Sequence, residues 1–188
     1  MEQVLTIASG RTLALRRIVA VVLGAVLVAA AAQVAVPLPG TPVPMTLQPL
    51  AVLLVGGLLG ARLGALSMIL YLAMGIAGLP VFTPTVPLVG IARLLGPTGG
   101  YLLAYPVAAF AVGAIVADGR RWTRVAAGVA AGLVLIHLGG LARLVIITGD
   151  LSAAARFGTL PFLLGDLGKL AVAVAVLTKL TPPVRARL

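Results

Sequence analysis

The sequence predicts an all-α integral membrane protein with six transmembrane helices and both termini on the inner side. Three observations predict this class: 61% of the 188 residues are hydrophobic, only 10% are charged, and 14 Lys and Arg residues stand against 4 Asp and Glu residues. Average soluble domains are about 45–50% apolar and about 25% charged. Between residues 18 and 117 the only charged side chains are Arg62 and Arg93, too few to hydrate a globular surface. We therefore treat residues 1–188 as a single membrane domain.

Six apolar segments are candidates for crossing the bilayer, because a helix needs about 20 apolar residues to span a hydrocarbon core of about 30 Å. The first is longer than the apolar core of a signal peptide, about 7–15 residues, and it leads into further apolar segments, so we interpret it as a retained helix. Prolines, which disfavour helix, separate the first segment from the second and the third from the fourth. The predicted helices are 18–36, 46–61, 63–79, 99–117, 125–147 and 160–180.

The basic residues orient these helices through the positive-inside rule. With the N-terminus inside, Arg93, Arg143 and Arg156 lie outside, and Lys169 lies within the sixth span. The proline-rich connections 37–44 and 80–98 then lie outside, which predicts a lid or binding mouth there. Topology thus explains most of the positive charge, and no nucleic-acid partner is expected. The cytoplasmic basic residues are Arg11, Arg16, Arg17, Arg62, Arg120, Arg121, Arg124, Lys179, Arg185 and Arg187.

Two charged residues, Asp166 and Lys169, lie inside the last predicted helix, roughly 9–14 Å from its outer end near Leu160. Their i, i+3 spacing places both on one face. Charges inside a membrane are costly and normally face the bundle interior. The pair either locks the helix in the bundle or binds a ligand. We favour a ligand, because an ammonium suits a carboxylate, and a carboxylate suits N–H donors.

Further candidates surround the two outer connections. Arg93 precedes Gly99, Gly100 and Tyr101 in RLLGPTGGY, at the predicted outer start of the fourth helix, where free N–H groups can face an anion. Glycine-rich helix starts are common, however, and Arg93 is equally well explained as an interfacial anchor that reaches water.

Polar or small residues in three other helices are also open to two interpretations. Thr46 is most simply a helix cap, whereas Gln48 is expected to point inward, since an unpaired amide facing hydrocarbon is costly. Ala25 and Ala29 have the small-xxx-small spacing of either internal packing or a partner surface. His137 is interpreted as a packing residue, because no second ligand type lies nearby in sequence.

Several function classes are excluded or disfavoured. The absence of cysteine excludes disulfides and thiolate chemistry, and a single histidine makes a metal site unexpected. Lys169 of GDLGK is followed by Leu170, so no nucleotide-binding P-loop is present, and HExxH and GxSxG motifs are also missing. The four acidic residues are well separated in sequence. We expect neither an enzyme nor a cofactor, and ATP-driven transport would need another subunit.

Four stretches of the chain resemble the BioY family, the biotin-specific substrate-binding (S) components of energy-coupling factor (ECF) transporters. The stretches are PLPGTPVPMTLQPLAVLLVGGLLGARLGAL (37–66), YLAMGIAGLPVF (71–82), RLLGPTGGYLLAYPVAAF (93–110) and PFLLGDLGKL (161–170). The resemblance implies a six-helix S-component bundle with a high-affinity biotin pocket near the outer face, covered by the first and third connections. After PVF, residues 83–87 (TPTVP) depart from the family pattern.

The resemblance also implies site residues. In the family, the Asp and Lys of the last helix belong to the biotin site, and these match Asp166 and Lys169. Biotin has a carboxylate for Lys169 and ureido N–H donors for Asp166, although other pairings are open. The matching motifs add further expected biotin contacts: Thr46, Gln48, Phe82, Arg93, Gly99, Gly100 and Tyr101.

The implied partners are biotin, a membrane scaffold subunit, two cytoplasmic ATP-binding subunits and membrane lipid, in the cytoplasmic membrane of a prokaryote. The small-residue face of the first helix is the family's docking surface, which makes Ala25 and Ala29 the expected partner contacts. The resemblance also implies that ATP hydrolysis topples the S component so that its pocket opens inward. Some relatives occur without a dedicated energising module, and self-association of the isolated chain is left open.

Two other classes remain as alternatives. A self-sufficient secondary transporter or channel for a small organic anion predicts flux through liposomes that contain this chain alone. The sequence speaks against it, since no pair of Gly/Pro-broken helices occurs in inverted halves. A membrane enzyme with Asp166 and Lys169 as acid and base lacks the partner acids that such chemistry needs.

Overall fold

The computed structural model is a bundle of membrane helices with one short β-hairpin. The structure describes residues 2–188, of which residues 2–10 are described only as helical backbone. The hairpin pairs Ala35 with Thr46 and Val36 with Met45 and so closes the base of the first connection. The elements in chain order are α1 (Glu2–Gln33), β1 (Ala35–Val36), β2 (Met45–Thr46), α2 (Gln48–Leu59), α3 (Ala61–Ile76), α4 (Ile91–Leu95), α5 (Gly99–Val116), α6 (Trp122–Thr148), α7 (Leu151–Gly158), a 3-10 turn (Leu160–Phe162) and α8 (Leu163–Arg185).

Four segments in the described part of the chain are long and apolar enough to cross a membrane: Arg11–Gln33, Gly99–Val116, Trp122–Thr148 and Leu151–Arg185. The apolar helices α2 and α3 have 12 and 16 residues, which correspond to about 18 Å and about 24 Å. Large apolar side chains remain exposed on the outside of the bundle, among them Leu23, Ile146 and Leu164. Such a surface suits lipid rather than water, so the chain is a multi-pass membrane protein.

Helix boundaries differ from the predicted ones at both ends of the chain. The first helix begins at Glu2 and ends at Gln33, rather than spanning 18–36, because arginine is a good helix former and a basic cluster need not end a helix. The last helix begins at Leu163 rather than 160, because Pro161 has no N–H group for a continuous ladder and lies in the 3-10 turn. The loop 80–98 also contains α4, which was not predicted.

The small-residue face of α1 packs inside the bundle. Ala25 is fully buried, and Ala29 is half-buried against the same core. This core includes Val55 of α2 and Met68 of α3. Ala25 therefore contacts its own bundle in this conformation, and the docking of a partner on Ala25 and Ala29 stays a prediction. Their small side chains let α1 approach its own neighbours, which was the other interpretation of the spacing.

Helix α5 lies at the centre of the bundle, in contact with α2, α3 and α6. Glycines allow its backbone to approach its neighbours closely. A Cβ on Gly56 of α2 would lie 2.5 Å from the carbonyl oxygen of Ala109 on α5. At the far end of α8, Arg185 donates to the carbonyl oxygens of Gly57 (2.8 Å) and Gly113 (2.9 Å). These contacts fix the helices that carry the site described below.

The close crossing of α2 and α5 makes a stability prediction. We expect Gly56→Ala to lower the free energy of unfolding by about 1–3 kcal/mol, because the new methyl group must push two backbones apart. Gly168→Ala on α8 is the matched control, since its Cβ would meet nothing within 4 Å. Thermal unfolding in detergent measures both, and an equal effect of the two substitutions would contradict the account of the crossing.

Candidate functional site

A cavity of about 610 Å³, counted with its open mouth, lies at the end of the bundle where α8 begins. Its walls come from the hairpin, α2, the loop 80–98, α5, α6 and α8, and they are mainly apolar. The polar side chains that line it are Thr46, Gln48, Thr83, Arg93, Thr98, Tyr101, Tyr105, His137, Asp166 and Lys169.

Asp166 and Lys169 form a buried ion pair on this wall. Lys169 Nζ donates to Asp166 Oδ1 at 2.9 Å, and both side chains are less than 10% exposed. Asp166 lies in the first turn of α8, where the helix dipole favours a negative charge. Because α8 begins at Leu163, the two residues are about 4.5 Å and about 9 Å into the helix, shallower than the sequence predicted.

His137 completes this cluster from α6. Its Nε2 lies 2.6 Å from Asp166 Oδ2, and its side chain is 17% exposed. The Tyr101 ring meets the imidazole edge-on, with ring centroids 6.3 Å apart. The interpretation of His137 as a packing residue is therefore wrong, since it contacts a charged group of the cavity. The contact joins residues 29 positions apart, so sequence proximity gave no sign of it.

Arg93 is the second cationic group of the cavity and is only 1% exposed. Its Nη1 donates to the carbonyl oxygen of Val86 (2.7 Å) and its Nη2 to that of Thr83 (3.0 Å). Burial lowers the pKa of the guanidinium, an effect opposed by Tyr71 and Tyr105. Arginine nevertheless stays protonated in proteins. Arg93 is therefore not an anchor that reaches water, because the folded loop supplies carbonyl partners inside the protein.

Gln48 points inward, as predicted, and is 4% exposed. Its Nε2 donates to the Tyr71 hydroxyl at 2.6 Å, which in turn donates to the carbonyl oxygen of Val81 at 3.2 Å. Thr46 Oγ1 accepts a hydrogen bond from the backbone N–H of Gln48 at 3.2 Å. Both interpretations of Thr46 thus hold in part: it bonds the first N–H group of α2, and it also lines the cavity.

Aromatic side chains form part of the wall. Phe82 packs edge-on against Tyr71, with centroids 5.5 Å apart, and lies over Gly75. Tyr101 donates to the carbonyl oxygen of Gly158 at 2.5 Å, which ties α5 to the end of α7. Tyr105 is 3% exposed and also lines the cavity, although the sequence gave no reason to select it.

Gly99 and Gly100 do not line the cavity in the described residues. The Cα of Gly99 packs on the carbonyl group of Leu94, and that of Gly100 packs on Gly139 of α6. The N–H of Gly99 is also occupied, because it donates to the carbonyl oxygen of Gly96 at 3.1 Å. The contact of these glycines with an anion therefore stays a prediction, without support from the lining of the cavity. They are glycines because other backbones approach them.

Three buried polar atoms on residues of the cavity wall lack a hydrogen-bond partner within the described part of the chain. They are Arg93 Nε, Thr98 Oγ1 and His137 Nδ1. An unpaired buried polar group costs about 1–3 kcal/mol, so most such groups in folded proteins are paired. A polar molecule in the cavity can supply partners for these three atoms, whereas two further unpaired hydroxyls, those of Thr159 and Thr181, are not on residues of its wall.

Comparison with known families decides the family of the chain. A model of the BioY family matches residues 3–186. The chain belongs to the BioY family. The probable biotin transporter BioY of Pyrococcus horikoshii is 41% identical over 139 residues, which cover 74% of this chain and 81% of the relative. The biotin transporter BioY of Thermotoga maritima is 35% identical over 154 residues, which cover 82% and 89%.

A solved structure supports the same placement in the BioY family. The S-component for biotin from an ECF-type ABC transporter matches with a TM-score of 0.79 and 25% identity, over 88% of this chain and 90% of that chain. The resemblance read from the four sequence stretches is therefore confirmed. In this BioY chain those stretches supply β2, α2, both ends of the loop 80–98, most of α5 and the start of α8, which line the cavity.

Proposed function

We propose that this chain is the biotin-binding S component of an ECF-type uptake transporter. It captures biotin at an outward-facing pocket and delivers it inward when coupled to a membrane scaffold subunit and two ATP-binding subunits. Family membership and the named relatives support this function, as does the solved S-component for biotin. These relatives are transporters, so the chain is not an enzyme. The observation that carries the proposal is the buried cavity with an Asp166–Lys169 pair and a separate guanidinium, that of Arg93.

The charges of the cavity support one orientation of biotin. Asp166 and Lys169 neutralise each other, whereas Arg93 has no salt bridge among the described residues. A buried charge is stabilised by a partner of opposite sign. The biotin carboxylate therefore belongs with Arg93. The neutral ureido group belongs with the pair, donating its N–H to Asp166 and accepting from Lys169 through its carbonyl oxygen. For Lys169 this replaces the carboxylate pairing considered from the sequence.

The remaining wall suits the uncharged middle of the molecule. Biotin carries an apolar sulfur-containing ring and an aliphatic chain between its ureido and carboxylate ends. Phe82, Leu102, Leu133 and Ile136 contribute apolar surface to the cavity, beside Tyr101 and Tyr105. Gln48 and Thr46 add hydrogen-bonding groups at the side formed by α2 and the hairpin. Specific small-molecule sites typically combine an apolar lining with a few polar groups placed in this way.

Coupling is the part of the proposal that depends on partners. The chain has no P-loop, so ATP hydrolysis belongs to other subunits. Because Ala25 is buried, the part of α1 that a scaffold can reach is its exposed apolar face, which includes Leu23 and Val26. Lipid covers this face when no partner is bound, and self-association of the isolated chain would use the same kind of surface.

Six crossings with both termini inside complete the proposal. In this arrangement α2 and α3 cross as a short antiparallel pair, with Arg62 at their inner end, and the cavity opens outward. The chain has no native cysteine, so single cysteines report topology without background. Ser152, Arg62 and Arg120 are all exposed and lie in α7, at the start of α3 and between α5 and α6.

We expect a membrane-impermeant maleimide to label Ser152→Cys in intact, right-side-out vesicles. Arg62→Cys and Arg120→Cys should react only after permeabilisation, because the proposed topology places both inside. Labelling of Arg62→Cys from outside would contradict the crossing of α2 and α3. Reversed labelling of Ser152→Cys and Arg120→Cys would contradict the orientation.

Uptake of labelled biotin tests the function itself. In cells that lack their own biotin transporter, this chain together with scaffold and ATP-binding subunits should accumulate biotin, and an ATPase-inactive complex should not. Proteoliposomes that contain this chain alone should bind biotin without concentrating it. Saturable flux of another organic anion through the isolated chain, without biotin binding, would favour the self-sufficient transporter instead.

A further inference from the structure

Asp166 is bonded by Lys169 on its own helix and by His137 on α6. The contact with His137 has no role in the function proposed above. We infer that His137 is a positioning residue of the biotin site, which fixes the Asp166 carboxylate so that it accepts the ureido N–H. This inference rests on the proposed function. It adds α6 to the elements that determine ureido recognition.

The two contacts of Asp166 differ in what they fix. Lys169 Nζ bonds Oδ1 at 2.9 Å from the same helix, three residues away. It therefore ties the carboxylate to α8 but not to the opposite wall. His137 Nε2 bonds Oδ2 at 2.6 Å from α6, and the ligand cavity lies beside this bond. Donors on both oxygens leave the carboxylate little freedom to rotate, and preorganisation of this kind raises affinity by reducing the ordering cost of binding.

The contact itself fixes which nitrogen of His137 donates. An ionised carboxylate oxygen can only accept a hydrogen bond, so Nε2 carries the proton that bonds Asp166 Oδ2 at 2.6 Å. The Nδ1 atom is buried and has no partner in the described part of the structure.

His137 and Asp166 also separate two spaces. Both line the ligand cavity, and both line an apolar cleft between α6 and α8 that is bordered by Leu138, Leu163 and Leu167. Replacing His137 with a small residue would join the two spaces and change the shape of the cavity as well. Substitutions that test the hydrogen bond must therefore keep the volume of the side chain.

The test compares His137→Phe, which keeps bulk but cannot donate, with His137→Gln, whose amide nitrogen replaces Nε2 as a donor. We expect His137→Phe to raise the Kd for biotin about tenfold to hundredfold, the usual effect of losing a hydrogen bond to a charged group. His137→Gln should remain within about threefold of wild type. A tetrahydrothiophene valerate, which keeps the carboxylate and lacks the ureido ring, should compete equally well against wild type and His137→Phe.

A double-mutant cycle separates positioning from a general structural defect. In an Asp166→Asn background, His137→Phe should change the Kd by less than about threefold, because the group it positions is already altered. Unfolding without ligand checks that each variant folds, and His137→Leu replaces His137→Phe if the latter does not. Unchanged biotin affinity in His137→Phe, an equal loss for both ligands, or an equal loss in His137→Gln overturns the inference. Failure of the wild-type chain to bind biotin overturns the proposed function as well.

Discussion

Replacing Lys169 with methionine should weaken biotin binding by about 30-fold or more. Lys169 is 8% exposed and bonds Asp166 in the wall of the cavity. The substitution removes the donor for the ureido carbonyl oxygen and leaves Asp166 with His137 as its remaining side-chain partner in the described residues. Truncating one member of a buried charge pair in a binding site costs about 2–5 kcal/mol, and about 1.4 kcal/mol corresponds to a factor of ten. Equilibrium binding of labelled biotin measures the change.

Lys179→Met is the matched control for this substitution. Lys179 lies on the same helix and is exposed, away from the cavity. The Lys179→Met substitution should leave both the affinity for biotin and the unfolding temperature unchanged. The alternative interpretation of the Asp166–Lys169 pair, a lock that holds α8 in the bundle, predicts the reverse pattern for Lys169→Met. A lowered unfolding temperature with wild-type biotin affinity would assign the pair to structure alone.

The second large effect is expected at Arg93. We expect Arg93→Met to weaken biotin binding by about 30-fold or more, since it removes the buried cation assigned to the carboxylate. The same substitution should weaken the binding of biotinamide, in which a neutral amide replaces the carboxylate, much less than it weakens the binding of biotin. Arg93→Lys keeps the charge but not the fork that bonds two loop carbonyl oxygens, so it should lie between wild type and Arg93→Met. Isothermal titration with the two ligands measures the difference.

A control separates ligand binding from loop stability at this position. Arg93→Met also leaves the carbonyl oxygens of Thr83 and Val86 without their donors and should lower the free energy of unfolding. Arg156→Met, on the exposed side of α7, should change neither property. An equal loss of affinity for biotin and biotinamide would show that Arg93 acts by holding the loop, against the assignment of the carboxylate.

The sequence predicted those parts of the site that depend on local spacing. Asp166 and Lys169 are three residues apart, so helix geometry alone places them together, and the cost of intramembrane charge turns them inward. The same cost applied to an amide predicts the inward direction of Gln48. The helix order followed from apolar length and proline positions. The boundaries differed where a basic cluster continued α1 and Pro161 delayed α8, and the short helices α4 and α7 were not predicted.

Contacts between distant segments were beyond this kind of prediction. Arg93 bonds the carbonyl oxygens of its own loop. The path of this loop cannot be predicted from a periodic pattern of apolar residues, as that of a helix can. The contact of His137 with Asp166 spans two helices. His137 does carry one signal in the sequence, because it is a titratable side chain in an otherwise apolar span, the same feature that singles out Asp166 and Lys169. The burial of Ala25 could not be predicted either, because the spacing of small residues does not distinguish a helix face inside the bundle from one outside it.

Calorimetric titration of the purified chain with biotin tests the central claim most directly. We expect tight binding of one biotin per chain without any other subunit, because the described cavity contains both the guanidinium and the Asp–Lys pair within a single bundle. The same titration should show greatly weakened binding for Lys169→Met. A folded wild-type chain that binds no biotin would contradict this claim. Wild-type affinity in both the Lys169→Met and the Arg93→Met variants would contradict it as well.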